Sequence, residues 1–516
     1  MLTALRLTFG LSLACLLAGC EVGPNFIPPN PGLPQQSFLI HPHAPVEIAS
    51  TSPAPPDPQW WAIFRDRELT ALEDRVAAAN LDVATATARL FESRFQRDVT
   101  GSSLFPNLNG NASYEREKAS ANGLLGLFGN QTPGTEASGA FGTGAGGAPG
   151  NLASVLSSPL SLWQYGFDAS WELDVWGKVR REVEAADAQV ALSANQRRDV
   201  LVSSLAELAR DYMQLRGIQE QIKIAQDNLT TAKDILSVTQ ERQQKGLVTG
   251  LDVENAAAEV ESIRAQIPDL QRQESEMINA LSLLLAEPPG GLATELAAPR
   301  ALPLRTPRLP VGIPSELARR RPDIREAEAQ LHQATANIGV AIGDFYPSVA
   351  LNASVGFQAL DFVNLWKGSS LQYALGPSVT LPIFEGGRLR STLELRDAQQ
   401  QEAAIAYHET VLKAWHDVVN ALIAYRTEQQ RRLHLAAQVD HAGKALGLAR
   451  DRYRDGVAQF ITVLDAQRTL LSAQQQLAQS STNVAVDIVS LYKALGGGWE
   501  ETFPPQPVAP IPIKFP

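Results

Sequence analysis

"QYGFDASWEL", residues 164–173, alternates without a break. Tyr165, Phe167, Ala169, Trp171 and Leu173 fall on one side, and Gln164, Gly166, Asp168, Ser170 and Glu172 on the other. That two-residue period marks a strand with one apolar and one polar face. The flanking sequence reads as long helices and offers no obvious sheet to cover the apolar face.

Three other stretches alternate in the same way. In "SVALNASVGF" (348–357), Val349, Leu351, Ala353, Val355 and Phe357 share a side. In "LQYALGPSVTLPIF" (371–384), Leu371, Tyr373, Leu375, Val379, Leu381 and Ile383 do so. "NLNGNASYE" (107–115) is weaker but gathers Asn107, Asn109, Asn111 and Ser113 on its polar side. Each is about ten residues, the length of a tilted strand crossing a bilayer. Four strands cannot close on themselves, and an open edge in lipid leaves backbone groups unsatisfied at several kcal/mol each. The strands are therefore expected to pair between chains. Two chains would give a barrel filled by its own side chains; three would give twelve strands and a lumen. The apolar face then meets lipid and the polar face lines water. A small soluble β-sandwich is the alternative, disfavoured because these strands are few and come as two hairpins. The first hairpin loop, roughly 118–160, is long and Gly-rich, as tolerated on the outer side of such barrels.

The start of the chain is consistent with a membrane destination. "MLTALRLTFGLSLACLLAGC" carries Arg6, an apolar run from Leu7 to Leu17 and then small residues, the build of a secretory signal too short to span a bilayer. "LAGC" has the form of a bacterial lipobox, so Cys20 is expected to become the first residue and to carry lipid on its thiol. Glu21 in place of Asp points to the outer membrane. The only other cysteine, Cys15, lies inside the signal, so residues 20–516 hold no internal disulfide pair. A formal charge of −11 argues against nucleic acid. Residues 20–58 read as a Pro-rich extended tether, 292–314 as a connector and 499–516 as a tail.

The chain is written twice. "LFPNLNGNAS" (104–113) matches "FYPSVALNAS" (345–354), and "GKVRREVEAADAQ" (177–189) matches "GRLRSTLELRDAQ" (387–399). "RQQKGLVTGLDVENA" (242–256) lines up with "RYRDGVAQFITVLDA" (452–466) at the same 210-residue offset as the second pair. Each repeat (59–291 and 315–498) reads helix, strand, strand, long helix, turn, helix. Helices are expected at about 66–100, 178–245 and 251–286, then 315–344, 388–455 and 461–495. Strands are expected at about 105–115, 164–174, 347–357 and 371–383. The long helices, at 1.5 Å per residue, reach roughly 100 Å. Leu201, Leu205, Leu208, Tyr212, Leu215, Ile222, Ala225, Leu229, Ala232 and Leu236 recur as a coiled-coil seam. Gly246 and Gly250, and Gly456 in the second copy, are expected to break the long helices. Ser315 is the expected N-cap of the second copy's first helix.

These residues resemble the outer-membrane factor family, the TolC-like channel lipoproteins of tripartite efflux pumps. "CEVGPNFIPP", "WWAIFRDRELTALEDRVAAAN", "SWELDVWGKVRREVEAA", "GIPSELARRRPDIREAEAQL", "PIFEGGRLR" and "RYRDGVAQFITVLDAQRTLLSAQQQL" carry the likeness over nearly the whole chain. The resemblance implies a homotrimer with a twelve-stranded barrel continuous with a long periplasmic helical barrel. It implies a periplasmic adaptor and an inner-membrane pump of the resistance-nodulation-division (RND) class as partners, besides outer-membrane lipid. In the family the periplasmic helical tips close the tunnel. Carried over, this gives Ile461 and Asp465 as constriction residues, Tyr453 as a closing contact, Asp252 at the first tip, and the Gly246, Gly250 and Gly456 turns as adaptor-docking tips. Thr462 stands where some relatives have a further aspartate, which implies a ring with fewer charges.

Catalysis finds no support. His408 and His416 lie eight apart on a helix and read as solvated, and no HExxH, GxSxG or P-loop pattern occurs. No enzyme activity, metal or cofactor is expected beyond the lipid on Cys20. The expected function is a passive exit duct for small molecules. A duct for type I protein secretion and a pore-less lipidated coiled-coil scaffold are the alternatives.

Overall fold

The structure, a computed structural model, describes residues 21–33, 51–52, 54, 57–118, 159–302, 309–312 and 314–500. Cys20, the signal segment, most of the long first-hairpin loop and the tail from 501 lie outside the described residues. In chain order the strands are β1 (Thr51–Ser52), β2 (Asn107–Glu117), β3 (Leu160–Leu173), β4 (Leu309–Pro310), β5 (Ser348–Ala359) and β6 (Leu371–Thr380). The helices are α1 (Arg67–Ala79), α2 (Leu81–Ser102), α3 (Lys178–Gln244), α4 (Gly250–Leu284), α5 (Ala293–Leu296), α6 (Leu317–Arg320), α7 (Pro322–Gly343), α8 (Arg388–Arg454) and α9 (Phe460–Leu495). The chain forms two compact units that cut across the sequence repeat, each drawing on both copies.

One unit (residues 1–25, 97–184 and 336–397) holds the four-stranded sheet, antiparallel in the order β2-β3-β5-β6. Its register turns the four alternating stretches into one surface. Tyr165 pairs with Ala112 and Phe357, Phe167 with Gly110 and Val355, and Val355 in turn with Tyr373. Every apolar residue singled out above on β3, β5 and β6 therefore lies on the same face. Gly166 and Gly356 meet directly on the other face; a Cβ on Gly166 would stand 2.6 Å from the Val355 carbonyl oxygen, so the strands approach there only because both side chains are missing.

The other unit (26–96, 185–335 and 398–516) is built on helices. Its core joins Trp60, Trp61, Leu69, Leu72 and Val76 to the seam of α3 and to α8 and α9. The expected seam is buried at Leu201, Leu205, Leu208, Tyr212, Leu215, Ala225 and Ala232, and half-buried at Ile222, Leu229 and Leu236. Among the described residues no helix is long and apolar enough to cross a membrane, which says nothing about strands.

Several expected elements differ. The helix expected over 66–100 is two, α1 and α2, broken at Asn80, whose backbone is extended (φ −62°, ψ 129°). The Asn80 Oδ1 accepts the N–H groups of Asp82 (2.9 Å) and Val83 (3.1 Å), and its Nδ2 donates to the Leu284 carbonyl (3.0 Å). One buried side chain thus caps α2 and ties it to α4. The helix expected from 315 also breaks, at Arg321 (φ −69°, ψ 121°) before Pro322, because a residue preceding proline is driven out of the helical region. Ser315 lies inside a short 3-10 turn, Pro314–Glu316, and is not an N-cap. Both breaks stand at one place in the repeat: Asn80 and Arg321 are separated by 241 residues, as are "LFPN" and "FYPS". The strands shift by up to four residues, and β6 ends at Thr380 rather than 383. Within the expected tether and connector, β1 and β4 pair in parallel, and the short helix α5 lies within 292–314.

Glu73 lies on the buried face of α1, fully enclosed, and neither carboxylate oxygen meets a hydrogen-bond donor among the described residues. Burial first, and Asp74 second, raise its pKa well above the carboxylate range. A carboxyl raised in the folded state contributes stability that is present below its unfolded pKa and is lost as pH climbs through the folded one. Glu73→Gln should therefore leave stability near pH 4 almost unchanged and raise it near pH 8, read from unfolding midpoints at the two pH values.

Candidate functional site

Two places carry the sequence's functional residues: the polar face of the sheet and the turns that follow α3 and α8. On the sheet, Asn111 Nδ2 donates to Asp168 Oδ1 (2.9 Å), Ser170 Oγ to Asn352 Oδ1 (3.1 Å) and Asn352 Nδ2 to Ser378 Oγ (3.1 Å). These short polar side chains bridge all four strands across one face of the sheet. On the opposite face large apolar side chains stand free: Phe167 is 56% exposed and Tyr373 79%.

At the turn after α3, Gly246 has φ 69°, its N–H donates to the Gln243 carbonyl (2.9 Å) and the Leu247 N–H to that of Arg242 (2.9 Å). The turn after α8 repeats this: Gly456 has φ 78°, with Gly456 to Tyr453 (3.0 Å) and Val457 to Arg452 (2.9 Å). A left-handed residue closing a helix in this way favours glycine, which pays no Cβ penalty. Gly250 does not break a helix; it is the first residue of α4 and has no positive φ.

Beyond those shared hydrogen bonds the two tips differ. Asp252 accepts from the Thr249 N–H (3.0 Å) and Oγ1 (2.9 Å), so within the chain it caps the start of α4. At the second tip Phe460 replaces Gly250 and is buried beside Tyr453, ring centroids 5.8 Å apart and tilted by 62°. Tyr453 belongs to a small core with Ala256, Leu446, Ala449, Val463 and Leu464. Its hydroxyl is buried and meets no partner among the described residues.

Arg242, which the sequence reading passed over, joins the tips. Its guanidinium carbon lies 4.5 Å from the Tyr453 ring centroid, and Nη1 donates to the carbonyls of Tyr453 and Arg454 (3.4 Å to the latter). A cation on the last carbonyls of α8 satisfies orphan acceptors and opposes the negative end of the helix. Thr249 and Phe460 were missed as well; the Thr249-x-x-Asp252 spacing was the available signal for the first. Ile461 and Asp465, four apart on α9, stand together on one exposed face, Ile461 at 46%. The structure thus brings Tyr453 into contact with Arg242 and Phe460, and leaves Ile461 and Asp465 facing outward from the chain.

A second polar feature marks the break at Arg321. Its guanidinium donates to Asp323 (2.7 Å), Asp417 (3.2 Å) and the Ala494 carbonyl (2.9 Å). It edges a cavity of about 510 Å³ that Asp199, Asp487 and Lys493 also line. Burial, then Glu428, pushes Asp487 up to about 6. Burial, then Asp323, raises Asp199. Among the described residues no cluster of His, Cys, Asp and Glu could hold a metal ion.

The family model for outer membrane efflux proteins matches residues 72–287 and 313–497. The chain belongs to the outer membrane efflux protein family. The pyoverdine export outer membrane protein OpmQ of Pseudomonas putida is 33% identical over 456 residues, 88% of this chain and 91% of its own. The toluene efflux pump outer membrane protein TtgC of Pseudomonas putida is 30% identical over 489 residues, 95% of this chain and 94% of its own. Among solved structures, the outer-membrane channel OprN aligns with a TM-score of 0.80 at 31% identity, over 93% of this chain and 100% of that one. The open state of the MtrE outer membrane channel of Neisseria gonorrhoeae aligns with a TM-score of 0.74 at 27% identity, over 94% and 100%. This chain is an outer-membrane efflux protein with the mostly helical channel fold of those structures.

Proposed function

We propose that three copies of this chain assemble into a passive exit duct, with twelve strands crossing the outer membrane and the helices forming a periplasmic tunnel. One observation carries this reading. All four apolar strand faces coincide on one side of an open sheet whose outer strands, β2 and β6, pair with nothing else among the described residues. A lone sheet of that kind cannot stand in lipid, and three such sheets satisfy one another's edges around a lumen. The polar bridges from Asn111 to Ser378 then line water.

The relatives are named for pyoverdine export and toluene efflux. Their names favour small molecules over protein as cargo, delivered by an inner-membrane pump of the RND class through a periplasmic adaptor. The Gly246 and Gly456 turns, with Gly250 beside the first, are where the adaptor docks. Ile461 and Asp465, repeated three times about the axis, form the constriction. The Tyr453 and Asp252 contacts hold the tips in place, and lipid on Cys20 adds a second membrane attachment.

Native mass spectrometry of the detergent-purified protein tests assembly and acylation together. A mass of three chains, each carrying an acyl increment that Cys20→Ser removes, is the expected result. A monomer or dimer as the sole stable species would overturn the duct.

A further inference from the structure

Loops at the rim of a sheet are ordinarily polar, and the one joining β5 to β6 is not. Within "LDFVNLWKGSS" (360–370), Phe362 is 52% exposed, Val363 79% and Trp366 65%. The loop does not simply continue the strands outward. Phe362 meets Trp163 edge-on at 5.0 Å, and Trp366 lies 4.9 Å from Tyr165. Tyr165 belongs to the apolar face by register, and Trp163, two residues before it on β3, shares that face. The loop is therefore folded back over the apolar face.

Its charges complete the pattern. Lys367 is exposed on the loop itself. Arg116 pairs in register with Ser161, at the loop end of the sheet, and belongs to the same face as Tyr114, whose ring lies 4.2 Å from that of Trp163. Glu115 and Glu117, its neighbours on β2, fall on the other face. Asp361, also exposed, accepts from Asn364 Nδ2 (3.3 Å). An aromatic cluster with basic groups at its rim is the arrangement that settles at a headgroup layer, rings at the boundary and long cations reaching toward anions.

We propose that residues 360–370 form an outer-leaflet anchor. Phe362, Val363 and Trp366 enter the acyl-chain boundary, and Lys367 with Arg116 engages anionic headgroups. The proposal rests on the barrel reading above, because only that reading turns this face to lipid. The loop thereby clamps the barrel at a fixed depth instead of guarding its mouth.

The test is an environment-sensitive fluorophore on Val363→Cys, in proteoliposomes of phosphatidylcholine and phosphatidylglycerol, with the unsubstituted chain carried through labelling as a blank. Leu375→Cys, on the apolar face of β6, reports on the barrel itself. The expected result is that both labels lose most of their emission to a lipid-borne nitroxide and little to aqueous iodide. Lys367→Glu should shift the Val363 label toward iodide in the anionic vesicles and leave it unmoved in phosphatidylcholine alone. A Leu375 label quenched by lipid with a Val363 label quenched by iodide would overturn the anchor while leaving the barrel intact. Neither label quenched by lipid would overturn both. Depth independent of anionic lipid and of Lys367→Glu would remove the headgroup contact. Leu360→Cys, 56% exposed on the same loop, supplies a second labelling position with the same expected outcome.

Discussion

Phe167→Arg should abolish recovery of detergent-resistant trimers from the outer membrane, whereas Ser354→Arg should leave them intact. Phe167 is near the middle of β3, between Gly110 and Val355, on the face that all four strands share. An arginine at the midplane of a lipid-facing strand costs about 2–4 kcal/mol, and the proposed threefold assembly would repeat that cost in every copy. Ser354 pairs in register with Asp168 on the polar face, so an arginine there gains a carboxylate neighbour and stays in water. Trimer recovery on heated and unheated gels, from washed outer membranes, separates the two. Equal loss in both variants would mean that the faces are not divided between lipid and water.

The separation of the strands into an apolar and a polar face was legible because the period of a strand is two and the residues obey it. Tyr165, Phe357 and Tyr373 were assigned to apolar faces from alternation alone, and the register aligns those faces. Alternation says nothing about strand order, so the β3–β5 pairing that joins the two repeats came only with the fold. The breaks at Asn80 and Arg321 were obscured for a different reason. Helical periodicity runs through both positions, and a single well-placed cap or a following proline outweighs it. Glu73 was hidden because "EDRVAAAN" has the composition of a solvated helix face; its burial comes from the core packed on α1. Arg242 was out of reach because its partner stands 211 residues away, and no local pattern encodes such a contact.

Opening the tips should have the largest effect on transport. In the threefold assembly proposed above, three copies of Asp465 around one axis would repel, the more so where water is scarce, and a closed ring would need contacts that hold it. Within each chain one restraint is Arg242, stacked on Tyr453 and bonded to the final carbonyls of α8, beside the small core that joins Ala256 to Tyr453. Removing a charge-assisted hydrogen bond together with a cation–π contact costs on the order of 2–3 kcal/mol. Arg242→Ala should therefore loosen the second tip against the first and raise single-channel conductance in planar bilayers with trimers intact. Asp465→Ala with Tyr453→Phe should raise it as well, through the smaller, uncharged side chain at the proposed constriction; Tyr453→Phe alone should change little, because it keeps the ring that Arg242 stacks on and removes a hydroxyl with no partner among the described residues. Asp252→Ala should act more weakly in the same direction, because its carboxylate caps α4 through Thr249 and fixes only the start of that helix. The order of effect thus follows from geometry: a contact that spans two tips outranks one that closes a single turn. Conductance unchanged in all of these variants, with trimers preserved, would place the constriction elsewhere and leave Ile461 and Asp465 as ordinary exposed residues of α9.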